Sequence, residues 1–134
     1  MDLSKIDLTA SADVAQKLVL THPATGDDLL DKDGNVVYIE LLGRDSTVAK
    51  AESKRRSQQM LNQMRGNKKV DVDEAVKNSI SLLSKLTLGW SGLDFDGEEL
   101  EFSREKAIWL YTEYSWIREQ VDEFIADRSN FFKG

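Results

Sequence analysis

The first third of the chain alternates short apolar runs with turn residues. An apolar run at residues 17–21 stops at a His-Pro pair, and Thr25-Gly26-Asp27 marks a turn. Leu29-Leu30 follows, and then a run at residues 36–42 that is rich in β-branched and aromatic side chains. Residues 31–35 between them read Asp-Lys-Asp-Gly-Asn, which is a turn sequence. Two apolar runs that flank an Asp-Gly turn predict a β-hairpin, and Gly43 then ends the second strand.

From residue 46 the pattern changes from strand to helix. Residues 46–65 contain good helix formers without proline or internal glycine, and Gly66-Asn67 ends them. The first half of this predicted helix is polar nearly all round. Its apolar residues come only late, at Met60, Leu61 and Met64. A helix with such a pattern projects into solvent or meets a partner.

A second helix is predicted to begin near Asp71 or Asp73 and to end before Gly89. Its apolar residues recur every three or four positions, which places them on one stripe. The stripe consists of Val72, Val76, Ile80, Leu83 and Leu86. The segment that follows, residues 89–102, is predicted to be an acidic loop whose aromatic side chains are buried as anchors.

The last segment predicts a helix from residue 104 to about residue 130, capped by Ser103. Its apolar residues keep a spacing of four and three. They are Leu110, Tyr114, Ile117, Val121 and Phe124. A continuous helix would be about 40 Å long, which exceeds what so small a domain requires. A break at residues 112–115 is therefore the alternative.

Together these elements predict a single domain, residues 1–134, of the α+β class and mainly α. The N-terminal β-hairpin lies within residues 1–44. Three to four helices follow within residues 45–134, and the C-terminal helix is long. Hydrophobic residues make up 40% of the 134 residues, which is enough to fill a core.

The charge of the chain is unevenly distributed around a net value of −6. Residues 46–69 carry seven basic residues and one acidic residue, which leaves a local charge of +6. Residues 94–127 carry eleven acidic and three basic residues, which leaves −8. Opposite poles suit self-association or a charged partner, although two solvated helix faces give the same pattern.

The sequence carries no sign of export or of membrane insertion. It has no cysteine, its first residues are polar, and no run approaches the roughly 18 apolar residues of a membrane-spanning helix. We therefore expect a soluble protein of a reducing cytoplasm.

Residues that carry catalytic or metal chemistry are scarce. His22 is the only histidine, it precedes a proline in a turn, and no serine lies in a Gly-x-Ser-x-Gly turn. Two acidic turns, at residues 31–35 and 94–99, place glycine fourth, whereas a calcium-binding EF-hand loop needs it sixth. We expect no enzyme activity, no cofactor and no metal site.

The basic stretch from Lys50 to Lys69 is a candidate partner-binding surface. Its proposed contact residues are Lys50, Lys54, Arg55 and Arg56. A DNA-binding regulator that uses residues 50–69 is the less favoured reading, because no aromatic residue lies among the charges and no helix-turn-helix pattern surrounds them. The acidic second half would also repel a polyanion.

Aromatic residues crowd into the C-terminal segment. They are Trp109, Tyr111, Tyr114, Trp116, Phe124, Phe131 and Phe132. Trp116 lies seven positions after Trp109, which would place them on one face of a continuous helix. These aromatic residues form either a broad part of the hydrophobic core or part of a subunit interface. The candidate contact residues are Trp109, Trp116, Phe131 and Phe132.

The second half of the chain contains four short motifs: Gly89-Trp90, Asp96-Gly97-Glu98-x-Leu100-x-Phe102-Ser103-x-Glu105-x-Ala107, Trp116-Ile117-x-x-Gln120-Val121-x-x-Phe124-Ile125 and Arg128-x-Asn130-Phe131. In these motifs it resembles the tail assembly chaperones of lambda-like long-tailed bacteriophages. A hairpin that ends in Gly43-Arg44-Asp45-Ser46 before a polar helix also resembles this family. The resemblance spans most of the chain and is specific from about residue 89.

The resemblance implies a non-enzymatic role in virion assembly. Proteins of this family bind the tape-measure protein in the host bacterial cytoplasm, keep it soluble, help to recruit tail-tube subunits and are absent from the mature virion. They self-associate into higher-order oligomers, and a longer form made by ribosomal frameshifting contacts the tail-tube protein. The alternative is a small bacterial adaptor module that binds other proteins.

Overall fold

The computed structural model describes residues 1–66 and 72–132. Its helices are α1 (Leu8–Ala12), α2 (Thr47–Arg65), α3 (Val72–Leu86), α4 (Arg104–Glu113) and α5 (Ser115–Ala126), with short 3-10 turns at Leu3–Lys5 and Arg128–Asn130. Its strands are β1 (Gln16–Val19), β2 (Tyr38–Leu41), β3 (Thr87–Ser91), β4 (Asp94–Phe95) and β5 (Glu98–Glu99). The predicted class, α+β and mainly α, is confirmed.

The N-terminal region contains the predicted turn, and Leu30 and Val36 on either side of it form an antiparallel bridge. Strand β1 pairs antiparallel with β2, and Leu18 lies opposite Ile39. Just beyond this pairing the Leu20 N–H still donates to the Val37 carbonyl at 2.9 Å. The backbone at Leu29 bonds to both residues: its N–H donates to the Leu20 carbonyl and its carbonyl accepts from the Val37 N–H, both at 2.9 Å. The turn at residues 31–35 is closed by the Asp31 carboxylate, which accepts backbone N–H bonds.

A third strand lies where the sequence predicted a loop. Strand β3 follows α3 directly and pairs antiparallel with β2, so the sheet order is β1-β2-β3. Gly89 lies in the middle of this strand, and no turn residue separates it from the helix, so local pattern gave no strand signal. The helical half of the chain thus completes the sheet begun by the N-terminal hairpin.

The aromatic residues between positions 90 and 102 are less buried than the sequence predicted. Trp90 is half-buried, whereas Phe95 and Phe102 are 44% and 37% exposed. Residues 94–99 form a second small hairpin, β4–β5, with Asp96 and Gly97 both at positive φ in its turn. An Asp-Gly pair with this backbone is typical of tight two-residue hairpin turns.

Helices α2 and α3 pack against each other along only part of their length. Ser46 caps α2 by accepting the Ala49 N–H at 3.2 Å, and Gly66 ends the helix. In α3 the stripe is buried at Ile80, Leu83 and Leu86 but exposed at its N-terminal end, where Val72 is 76% and Val76 41% exposed. Asn67 and Asp71, which were predicted to end one helix and begin the next, lie outside the described residues, as do Lys68 and Lys69.

The long C-terminal helix is broken at Tyr114, which was the alternative left open by the sequence. Tyr114 ends α4 and precedes α5 with φ −116° and ψ 81°, outside the helical range. The Arg118 guanidinium donates to the Tyr111 carbonyl at 2.9 Å, which satisfies an acceptor freed by the break. Leu110, Ile117 and Val121 remain buried on both sides of the break.

Gly43 occupies a position that a side chain cannot share. A Cβ atom there would lie 2.9 Å from the Ala12 Cβ and 3.1 Å from the Phe131 ring. We expect Gly43→Ala to lower the free energy of unfolding by about 1–3 kcal/mol, measured by urea denaturation, because these neighbours must move. Gly89→Ala is the matched control, since its Cβ would have no heavy atom within 4 Å. Equal losses in the two variants would contradict this assignment.

Candidate functional site

An apolar groove lies between the β4–β5 hairpin and the break between α4 and α5. Its volume is about 160 Å³. Four aromatic side chains, Phe95, Trp109, Tyr114 and Trp116, line it together with Leu93, Asp94, Leu100, Leu110 and Ile117. We call this feature the aromatic groove. Leu110 and Ile117 are buried, and Phe95 is the most exposed of the four aromatic residues.

Contacts between its rings hold the aromatic groove in shape. The Phe95 and Trp109 ring centroids lie 5.1 Å apart and those of Trp109 and Tyr114 5.8 Å apart, both edge to face. The Lys106 ammonium lies 5.7 Å from the centre of the Trp109 ring. Edge-to-face pairs and a cation over an indole are favourable arrangements, so these walls are packed before any partner binds.

The β4–β5 hairpin that carries Phe95 is tied to the rest of the fold by Trp90. The Trp90 indole N–H donates to the Leu100 carbonyl at 2.8 Å, and its ring meets Phe102 edge to face at 4.9 Å. The Leu100 N–H donates to the Leu93 carbonyl at 2.8 Å and closes the base of the hairpin. Trp90 in β3 thereby positions one wall of the aromatic groove.

The surroundings of the aromatic groove are acidic. The hairpin beside it carries Asp94, Asp96, Glu98 and Glu99, all exposed, and Glu113 is exposed in the last turn of α4. Within the described part of the chain, none of these five carboxylates forms a salt bridge. The feature therefore combines apolar walls with unpaired negative charge at its edge.

The basic residues of α2 are arranged around one carboxylate. Glu52, only 5% exposed, accepts from Arg55 at 3.0 Å, from Arg56 at 2.9 Å and from Lys85 of α3 at 2.5 Å. Hydrogen bonds from Arg55 and Lys85 lower the pKa of Glu52 to about 2. Arg56 also donates to Asn78 of α3. Glu52 and its cations join the two helices.

The four predicted contact residues on α2 therefore differ in availability. Arg56 is mostly buried between α2 and α3, and Arg55, although half exposed, is paired with Glu52. Lys50 bonds the Thr9 hydroxyl, whereas Lys54 is exposed. The basic stretch is partly neutralised by its own acidic residue, which reduces its attraction for a polyanion.

A second apolar surface lies where α2 ends and α3 begins. It consists of Met60, Leu61, Met64, Val72 and Val76, each between 41% and 76% exposed. We call this surface the apolar end. Beside it, the Gln63 amide donates to the Glu74 carboxylate at 3.2 Å and links the two helices. The late apolar residues of α2 were visible in the sequence, but no partner-binding role was predicted for them.

The four predicted aromatic contact residues separate into two groups. Trp109 and Trp116 line the same groove, although the helix break removes the periodicity argument that paired them. Phe131 is only 5% exposed and meets Phe124 edge to face at 5.4 Å, so in this fold it belongs to the core, which was the other interpretation left open by the sequence. Phe132 is half-buried beside it.

His22 has a structural role in its turn. Its Nδ1 accepts the backbone N–H groups of Ala24 at 3.1 Å and Thr25 at 3.3 Å. Across residues 1–66 and 72–132, no group of three or more histidine and acidic residues is placed to hold a metal ion. In the same residues, no helix combines the length and apolar character needed to cross a bilayer.

The residues that carry the resemblance to tail assembly chaperones lie along β3, the β4–β5 hairpin and α4–α5. Gly89-Trp90 are in β3, Asp96-Gly97 form the hairpin turn, and Ser103 caps α4 by accepting the Lys106 N–H at 3.0 Å. In comparisons with known proteins, no family model, no curated protein and no solved structure matches the chain. Leu100, Trp116 and Ile117, which belong to the motifs of this resemblance, also line the aromatic groove.

Proposed function

We propose that this protein is a tail assembly chaperone of a long-tailed bacteriophage, and that it acts by binding other proteins without catalysis. The observation that carries the proposal is the aromatic groove, a preformed apolar feature with an acidic edge. Exposed aromatic side chains in fixed positions are typical of interaction hot spots. The resemblance in residues 89–131 supplies the identity of the partner.

The size of the aromatic groove suits a client that offers one side chain at a time. Its volume of about 160 Å³ equals that of roughly five water molecules, which is the space of one bulky apolar side chain. A long helical client presents such side chains at regular intervals. Many weak contacts of this kind keep an aggregation-prone chain soluble and still permit release.

In this proposal the client is the tape-measure protein. The chaperone covers apolar positions of the client in the host bacterial cytoplasm, assists the arrival of tail-tube subunits and leaves before the virion is complete. A frameshifted longer form is the proposed contact of the tail-tube protein. The apolar end and the Lys54 side of α2 remain available for further contacts, since both are exposed.

Co-expression with the tape-measure protein encoded beside this gene tests the proposal. We expect the long protein to become soluble and to co-purify with the chain. The Trp109→Ala variant should lose at least about tenfold in the yield of soluble client, because truncating a hot-spot aromatic residue removes much of the contact energy. Leu88→Ala, which changes a residue that is 49% exposed on β3 and does not line the groove, is the control.

A tape-measure protein that stays insoluble and unbound would overturn the chaperone proposal. The alternative, a small bacterial adaptor module, would then be favoured if affinity purification returns a different protein whose binding also depends on Trp109.

DNA binding through residues 50–69 is disfavoured by the pairing of Arg55 and Arg56 with Glu52. A salt-dependent gel shift by the purified chain would favour it instead.

A further inference from the structure

Two apolar surfaces of this fold are exposed to solvent in a single copy of the chain, and they are chemically complementary. The apolar end exposes Met60, Leu61 and Met64 of α2 to between 50% and 63%. The aromatic groove exposes Phe95 to 44%. Large apolar side chains that are exposed on one molecule favour association, because covering them releases water.

The charges around these two surfaces are opposite in sign. Helix α2 carries five basic residues, Lys50, Lys54, Arg55, Arg56 and Arg65, against Glu52 alone, which leaves a helix charge of +4. Arg65 is exposed one residue after Met64, and Lys54 is exposed farther back along the helix. Asp94 of the β4–β5 hairpin lines the aromatic groove. The same hairpin carries Glu98 and Glu99, and none of these three carboxylates forms a salt bridge within the described residues.

The shapes of the two surfaces also agree. Met60 and Met64 are four positions apart on α2, and Leu61 is three positions before Met64, so the three side chains form one ridge. Methionine is unbranched and flexible, and it packs well against aromatic rings. A ridge of such side chains can place one of them in a groove whose volume is about 160 Å³.

We propose that the apolar end of one copy docks in the aromatic groove of a second copy of this chain. Arg65 and Lys54 of the first copy then face the acidic β4–β5 hairpin of the second. The contact is heterologous, so each docked copy still offers its own groove and its own apolar end, and the contact can be repeated along a row of molecules.

This inference rests on the proposed function for its biological role, because the docked α2 would occupy the surface that is proposed to bind the client. A client helix with apolar and basic side chains would compete for the same groove. Self-docking can nevertheless be measured on the purified chain without any client. Its failure is thus distinguishable from a failure of the co-expression test.

Sedimentation velocity over a range of concentrations tests the proposal with two variants. The end variant, Leu61→Glu with Met64→Glu, changes exposed positions to good helix formers and places negative charge against the acidic hairpin. The groove variant, Phe95→Lys, removes one aromatic wall and adds a positive charge that repels the basic residues of α2. We expect each variant alone to weaken self-association at least about tenfold. Circular dichroism verifies that both remain folded.

Mixing the two variants is the decisive step. The intact apolar end of the groove variant should dock in the intact groove of the end variant, so two monomeric proteins should give a one-to-one heterodimer. Raising the salt concentration should weaken this heterodimer, since exposed charges contribute to it. The control Leu88→Glu, on β3, should associate like the unchanged chain.

Three results would overturn the proposal. The unchanged chain could sediment as a monomer at every concentration, either variant could associate as strongly as the unchanged chain, or the mixture could contain no heterodimer. Recovery of the heterodimer from two monomeric variants would support it, because an interface formed by the same patch on both copies cannot be restored in this way.

Discussion

Replacing Tyr111 with alanine is expected to lower the free energy of unfolding by about 3–5 kcal/mol, as large-to-small changes of buried aromatic residues do. The Tyr111 side chain has no exposed surface. Its hydroxyl lies 2.7 Å from the Thr87 hydroxyl, which itself donates to the Leu83 carbonyl at 2.7 Å. Tyr111 thus joins α4 to the point where α3 becomes β3.

Urea denaturation measures this loss, and Tyr111→Phe is the matched control. The phenylalanine variant keeps the ring and removes only the bond to Thr87, so its loss should be about 1–2 kcal/mol. Burial raises the pKa of Tyr111 to about 12. Because the unfolded chain loses this proton near pH 10, Tyr111 should also make stability fall as the pH rises above 10. A loss below about 1 kcal/mol in Tyr111→Ala would refute the packing assignment.

Replacing Glu52 with glutamine is expected to lower the free energy of unfolding by about 2 kcal/mol at pH 7. The change leaves Arg55, Arg56 and Lys85 close together without the carboxylate that now pairs with all three. The full pKa shift of Glu52, from 4.5 to about 2, would correspond to a larger loss. Solvent reaches Arg55, which is 52% exposed, and screens part of the interaction.

The same variant should alter the acid dependence of stability. The pKa of Glu52 is lower in the folded chain than in the unfolded chain, so its contribution is present above pH 4.5 and disappears as the pH falls from 4.5 towards 2. Glu52→Gln should therefore flatten the curve of stability against pH in this window. Urea denaturation at a series of pH values measures the effect.

An exposed ion pair provides the control for Glu52. Asp45 accepts from the Arg128 guanidinium at 2.7 and 3.1 Å, but Arg128 is half exposed. Asp45→Asn should therefore cost much less stability than Glu52→Gln, because solvent competes for the charges. If the two variants were equally destabilised, the burial of Glu52 would not explain its effect.

The Tyr111 and Glu52 variants test contacts that hold the two proposed binding surfaces in place. Tyr111 fixes α4, whose neighbouring residues Trp109 and Leu110 line the aromatic groove. Glu52 holds α2 against α3 and so determines where the apolar end is presented. Loss of client binding in either variant would therefore reflect a displaced surface. For this reason the self-association tests change exposed residues, such as Phe95 and Leu61, that contribute little to the core.

Local patterns were sufficient to predict the elements whose signals lie within a few neighbouring residues. The Asp-Gly turn flanked by apolar residues predicted the pairing that brings Leu30 opposite Val36, and Ser103 caps the helix that follows it, as predicted. The sequence also showed two unusual features, the apolar residues near the end of α2 and the crowding of aromatic residues in the C-terminal segment. Each of these features follows from backbone preferences or side-chain spacing within a single segment.

Other features depended on partners that are distant in sequence. Residues 87–91 form a strand because β2, more than 40 residues earlier, offers a free edge. Phe131 was assigned to a partner surface, but Ala12 and Gly43 lie where its ring packs. The break at Tyr114 is stabilised by Arg118, and Trp109 and Trp116 share a groove only because the β4–β5 hairpin supplies its other wall.

The sequence by itself therefore determined the class of fold, both ends of α2, the beginning of α4 and the uneven distribution of charge. Hydrophobic period, capping residues and turn residues act over one to four positions, and they can be read without knowledge of the rest of the chain. Only the tertiary structure decided which apolar residues are covered. Phe131 became core, whereas Phe95 and Met64 stayed in solvent. That outcome depends on which segments meet, because a side chain is buried only when another part of the chain packs over it.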